Sequence, residues 1–167
     1  MCFVLSSFVL LSVVLTVGLA VASRPPLGSV VRFVAGRHYA LLTAAARATF
    51  LASEFRLSPE SDRMGCRLTG PAVAVAGGGT LPSAPVTMGT IQLPPGGAPI
   101  VLMADRQTTG GYPTIGQVAT VDLGIVAQLR PGDALRFLEI PLAEAEMLYL
   151  ERERAIQGVR RALTLSP

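Results

Sequence analysis

Lysine is missing from this sequence altogether: all 14 basic residues are arginine. No side chain in the chain can therefore carry biotin through an amide bond, form a Schiff base or serve as a P-loop lysine. Tryptophan is absent as well, and aromatic residues make up only 5%. The arginines are scattered rather than clustered, and few rings are available to stack on bases. A nucleic-acid interface is thereby excluded. Histidine occurs once, at His38, and cysteine twice, at Cys2 and Cys66. These three side chains share no spacing pattern and are too few for a zinc centre, so no metal site is predicted.

What is present is enough for one domain with a real core, at 167 residues and 50% hydrophobic composition. Part of that apolar content lies in residues 2–23, which carry no charge. This stretch is long enough to cross a bilayer as a helix and is expected to stand off the domain. Three readings stay open: a single-pass membrane anchor, a signal-like segment and a mis-set start. The run from Ala20 to Ala22 suits a signal peptidase. Against secretion, no basic residue precedes the run and Arg24 follows it, which places the downstream part in the cytoplasm. Pro25 and Pro26 break the chain. Residues 24–29 are read as a linker and 30–167 as the domain.

Residues 29–34 read as a short strand. Residues 41–53 have helical spacing, with Leu42, Ala45, Ala46, Thr49, Phe50 and Ser53 on one side. His38 precedes this helix with no nucleophile or acid at recognisable spacing, which makes it a loop or core residue. A glycine-rich loop over 72–80 is followed by a stretch too rich in proline and glycine for a helix. It holds a strand at 90–93 and a turn at 94–97. Strands are predicted at 115–121 and 134–140, a helical turn at 123–129 and a turn at 130–133. Pro141 opens a helix to about residue 163. Its apolar stripe is Ala145, Leu148, Tyr149, Ile156, Val159 and Leu163, and it is expected to dock on the core.

Two polar clusters interrupt this pattern. The apolar run 99–103 reads as a buried strand that delivers DRQTTGGYP (105–113) to one spot. Gly110 and Gly111 are expected to supply positive φ and close backbone approach, and Pro113 restricts Tyr112 to extended geometry. The other cluster, SDRMGCRLTGP (61–71), sets Asp62, Arg63 and Arg67 around Gly65. The planar fork of arginine suits carboxylate or phosphate, although a surface salt-bridge turn has the same composition. The two clusters are expected to meet, with arginine facing the glycine turn.

Together with GTIQLP (89–94) and AQLRPGD (127–133), these strings resemble the allophanate hydrolase subunit 2 family of biotin-dependent carboxyltransferases. That family includes the C subunit of 5-oxoprolinase and the carboxyltransferase domain of urea amidolyase. The resemblance runs in order from about Val30 to Leu148. It implies a mainly β fold with helices, a cyclophilin-like β-barrel. Only the C-terminal half of the family's length is represented, so the barrel is expected to be incomplete. Cys66 stands where the family usually has tyrosine, which alters one wall of the pocket.

The resemblance also implies a function. It points to a cytoplasmic subunit or fragment of an ATP-dependent 5-oxoprolinase that opens 5-oxoproline to glutamate alongside partner subunits. The alternatives are a biotin-dependent carboxyltransferase served by biotin on a partner chain, and a non-catalytic remnant, membrane-bound through 2–23. ATP would act through the complex, because no nucleotide-binding motif is visible. The catalytic candidates are Asp105, Arg63 and Gln107. The substrate-binding candidates are Arg67, Gln92, Thr108, Thr109, Gly110, Gly111 and Tyr112. Asp105 would orient an arginine or act as a base, an arginine would hold the substrate carboxylate, and the two glycines would form an anion-binding concavity.

Overall fold

The structure, a computed structural model, describes residues 29–76 and 81–164. The expected apolar helix over 2–23 and most of the linker lie outside the described residues. Among the described residues, no helix is long and apolar enough to cross a membrane.

Strand β1 (Ser29–Ala35) buries Ser29, Val31 and Phe33 and turns Val30 outward, the alternation of a half-buried strand. It is followed by α1 (Ala44–Ala52), β2 (Phe55–Leu57), β3 (Gly65–Thr69), β4 (Ala84–Pro85), β5 (Thr90–Gln92) and β6 (Ile100–Leu102). Next come β7 (Thr109–Gly110), β8 (Thr114–Val118), α2 (Leu123–Gln128), β9 (Ala134–Glu139) and α3 (Leu142–Thr164). Seven strands close a barrel in the order β1-β8-β5-β6-β3-β2-β9, while β4 and β7 pair separately.

That closure corrects the expected incomplete barrel. β1 uses both of its edges: Phe33 stands opposite Val118 of antiparallel β8 and opposite Glu139 of parallel β9. A strand paired on both sides leaves no open edge at the place where half a barrel would gape.

The few aromatic rings are concentrated inside. Phe33, Phe50, Phe55 and Phe137 are all buried, with Phe50 stacked on Phe137 at 4.7 Å and Phe33 edge-on to Phe50 at 5.4 Å. Such pairs add to simple area burial, and here they fasten α1 to β1, β2 and β9. Helix α1 starts later than its apolar spacing suggests, because the Thr43 side chain accepts the Ala46 N–H and caps it. Ala46 and Phe50 face the core, whereas Ala45 is exposed.

The expectation that the last helix docks on the core is wrong. None of the described side chains of α3 is buried, and Tyr149, Ile156 and Leu163 of its stripe lie exposed. Its first turns lean on β1 and on the turn at Thr120–Asp122, and Arg152 Nη1 donates to the Thr120 carbonyl at 3.2 Å. The barrel interior is already filled by the rings of β1, β2, β9 and α1, so no slot remains for a further helix.

An ion pair anchors the turn between β8 and α2. The backbone N–H, Nε and Nη2 of Arg32 donate to the carboxylate of Asp122 at 2.8, 2.8 and 2.6 Å. Asp122 is only 1% exposed, and this hydrogen bond raises the arginine pKa further above its ordinary value.

Candidate functional site

The two polar clusters meet because β3 and β6 are antiparallel neighbours, with Gly65 opposite Leu102. The pairing continues beyond the strands. Met103 N donates to Met64 O at 2.9 Å, and Asp105 N donates to Arg63 O at 3.0 Å. Side chains then join the same two residues: Arg63 Nε lies 3.0 Å from Asp105 Oδ2, and Nη2 lies 3.4 Å from Oδ1. Asp62 shapes the turn, its Oδ1 accepting the N–H groups of Met64 and Gly65 at 2.8 and 3.0 Å.

Two cavities flank this turn, and Asp62 lines both. One, of about 210 Å³, gathers Arg67, Gln92, Gln107 and Tyr112 around a floor that includes Ile100 and Leu102. Four of the predicted site residues thus share one polar cavity. The other, of about 350 Å³, is more apolar and takes in Arg63, Cys66, Met88 and Met103. Burial, helped by nearby Asp62, pushes the Cys66 thiol up to about 11, so it stays protonated at neutral pH and is a poor nucleophile. A third cavity, of about 520 Å³, lies away from the motifs between β8 and α3.

Gln92 is the most distinctive group of the polar cavity. It is 1% exposed, and its Nε2 has no hydrogen-bond partner. That nitrogen lies against Gly110: a Cβ on Gly110 would sit 2.4 Å from it.

The remaining predicted residues are placed differently. Thr108, Thr109, Gly110 and Gly111 line none of the cavities just described. Their main chain pairs with an arm formed by 81–86. Val86 N donates to Thr108 O at 3.0 Å, Leu81 N donates to Gly111 O at 2.6 Å, and Ala84 stands opposite Gly110. Bonded pairs alternate along an antiparallel ladder, so the 84/110 pair follows the 86/108 pair as a bonded one. The expected positive φ at the two glycines is corrected too, because Gly89, Gly97 and Gly132 are the described residues with that geometry. At Gly110 it is the close approach of the Gln92 side-chain end, not a positive φ, that a Cβ would disturb, and the amide would have to shift to admit one. Arg63, which lines the more apolar cavity, and Asp105, which lines neither of the two, form an exposed pair, 84% and 47% accessible.

His38 is structural, as its surroundings in the sequence suggested. Its Nδ1 accepts the Thr114 N–H at 3.0 Å, and burial together with Arg37 lowers its pKa. Sequence reasoning missed Asp62 as a wall of both cavities, and it missed the arm over 81–86. An Asp in a glycine-containing turn, able to bond the backbone two residues on as in an Asx turn, was the available signal for the first. The arm left none, since two residues of Ala-Pro carry no strand pattern.

The chain matches the family described as the carboxyltransferase domain, subdomain A and B, over residues 15–139. The chain belongs to this family. The match begins inside the apolar stretch, upstream of the residue 30 taken as the domain's start. Among curated relatives, the chain is 37% identical over 136 residues to the C subunit of 5-oxoprolinase from Haemophilus influenzae, covering 81% of this chain and 44% of the relative. It is 35% identical over 127 residues to the Escherichia coli protein of the same name, covering 76% and 41%. The chain therefore spans less than half the length of these relatives. In fold it resembles the K. lactis urea amidolyase, with a TM-score of 0.73 at 24% identity, over 79% of this chain and 9% of that one.

Proposed function

We propose that this carboxyltransferase-family chain supplies part of the substrate site of an ATP-dependent 5-oxoprolinase, which opens 5-oxoproline to glutamate. The observation that carries the proposal is the polar cavity of about 210 Å³ in which Arg67, Gln92, Gln107 and Tyr112 converge. Its volume, below the roughly 300–1,000 Å³ of drug-sized pockets, restricts it to a very small molecule, and arginine suits a carboxylate. The relatives named as 5-oxoprolinase subunits support the choice of substrate.

In this reading Arg67 holds the substrate carboxylate, while Gln92, Gln107 and Tyr112 fix the ring. Asp105 acts as a positioning residue that orients Arg63, which lines the neighbouring cavity. Thr108, Thr109, Gly110 and Gly111 act one step back, through the arm and through the support under Gln92. A lactam is a poor electrophile, and ATP, bound through the complex, would activate it. The described residues do not suit ATP themselves: lysine is absent, and the main chain at Gly110 is committed to the arm. Nucleotide chemistry is therefore assigned to partner subunits. The family description favours a second reading, carboxyl transfer from biotin carried on a partner chain.

The test is co-production of the chain with 5-oxoprolinase-type partner subunits and an assay of ATP-dependent glutamate release. Turnover that requires this chain and falls about tenfold or more in Arg67→Ala, the scale of one lost charged hydrogen bond, supports the proposal. Carboxyl transfer from a biotinylated carrier in place of glutamate release would favour the second reading.

A further inference from the structure

We infer, resting on the reading of the polar cavity as the substrate site, that the Gln92 carboxamide recognises the cis N–H/C=O edge of a substrate amide. Gln92 lies where the register between β5 and β8 shifts, between Ile91 and Gln92. Such irregularities re-aim a side chain, and Gln92 is one of the residues that line the cavity. A buried amide without a partner is costly, and most buried polar groups in folded proteins are satisfied. The missing Cβ of Gly110 leaves room for it, since a Cβ there would sit 2.4 Å from Nε2.

The terminal torsion of glutamine is broad and roughly twofold, so either end of the amide can turn toward a ligand. A lactam or a urea-type amide offers one donor and one acceptor side by side on a fixed edge. A carboxamide is the complement of that edge and meets it with two antiparallel hydrogen bonds. A second carboxylate would offer two acceptors, and a saturated amine ring no acceptor at all. Arg67, in the same cavity, takes the substrate's carboxylate. Asp62 shares the cavity, but its Oδ1 is already engaged by two backbone N–H groups. The ligand class is thus a small cyclic or primary amide that also bears a carboxylate.

Three probes separate the contributions: 5-oxoproline, proline, which lacks the ring carbonyl, and N-methyl-5-oxoproline, which lacks the ring N–H. Binding of each to the full chain, in complex with partner subunits, is measured by ligand-detected NMR. The expected result is that the native chain prefers 5-oxoproline by about tenfold or more over both analogues, the scale of an unmade buried hydrogen bond. Gln92→Met, checked for a native melting profile, should bind all three alike. Equal binding of 5-oxoproline and its N-methyl analogue by the native chain would overturn the inference without any variant. Gln92→Met with unchanged preference would overturn it too, while glutamate release by that complex would leave the proposed function standing. Gln92-dependent binding of urea, with 5-oxoproline ignored, would do the opposite, refuting the substrate and upholding amide recognition. Binding of no amide at all would overturn the inference.

Discussion

Arg63 Nε lies 3.0 Å from Asp105 Oδ2, joining two loops that stand 42 residues apart in the chain. The pair extends a backbone ladder already formed by the same two residues. Because both side chains are well exposed, it contributes little to stability, about 0–1 kcal/mol for such surface pairs. Removing either charge should therefore cost folding little.

The first prediction follows from that exposure. Asp105→Ala and Arg63→Ala should each change unfolding free energy by less than about 1 kcal/mol in urea denaturation. In the active complex, each should still lower kcat/KM for 5-oxoproline by about tenfold, as expected for a lost charged contact. A drop in activity matched by an equal drop in stability would reduce the pair to a turn element.

Gly110 yields the second. Gly110→Ala should destabilise the protein by about 1–3 kcal/mol through overpacking against the Gln92 amide. Removing that amide with Gln92→Ala should restore most of the loss in the double variant, giving a coupling of about 1 kcal/mol or more. Strict additivity in thermal and urea melts would show that the collision does not govern the position.

Cys66 provides a pH test. Its pKa is raised from 9.0 to about 11 by burial, so between those values the unfolded chain has lost a proton that the folded chain keeps. The unfolded state then binds fewer protons, and stability falls as pH rises from about 9 to 11. Cys66→Ser should flatten that part of the stability profile. Alkylation of the thiol at pH 8 should be slow in the native state and fast in denaturant; rapid native labelling would contradict the buried placement.

The Arg32–Asp122 pair supplies the fourth. Asp122→Ala leaves the Arg32 guanidinium and backbone N–H without their partner and should cost about 1–3 kcal/mol, less than a fully buried pair because the Arg32 side chain is 31% exposed and water can reach it. Far from the polar cavity, it should leave ligand discrimination unchanged in protein that remains folded. A melting shift of less than a degree or two would show that water replaces the carboxylate at no cost.

Much of this protein was legible in the sequence because the signals are local. Alternation at 29–34 and 134–140, proline and glycine at the turns, and helical spacing near 41–53 report backbone preference over a few residues. The GTIQLP and DRQTTGGYP strings likewise pointed to Gln92, Gln107 and Tyr112, and the family followed from those strings. Tertiary structure decided the rest. Ring closure depends on β1 finding β8 on one edge and β9 on the other, pairings that no local period encodes. The last helix has an apolar stripe yet only leans on the outside of the barrel and buries none of its described side chains, since the interior was filled by rings drawn from four separate elements. Two adjacent glycines suggested an open anion cradle, but Ala84 pairs with one and the Gln92 amide packs where its Cβ would stand. Contacts of that kind arise between segments far apart in the chain, where spacing along the sequence carries no information.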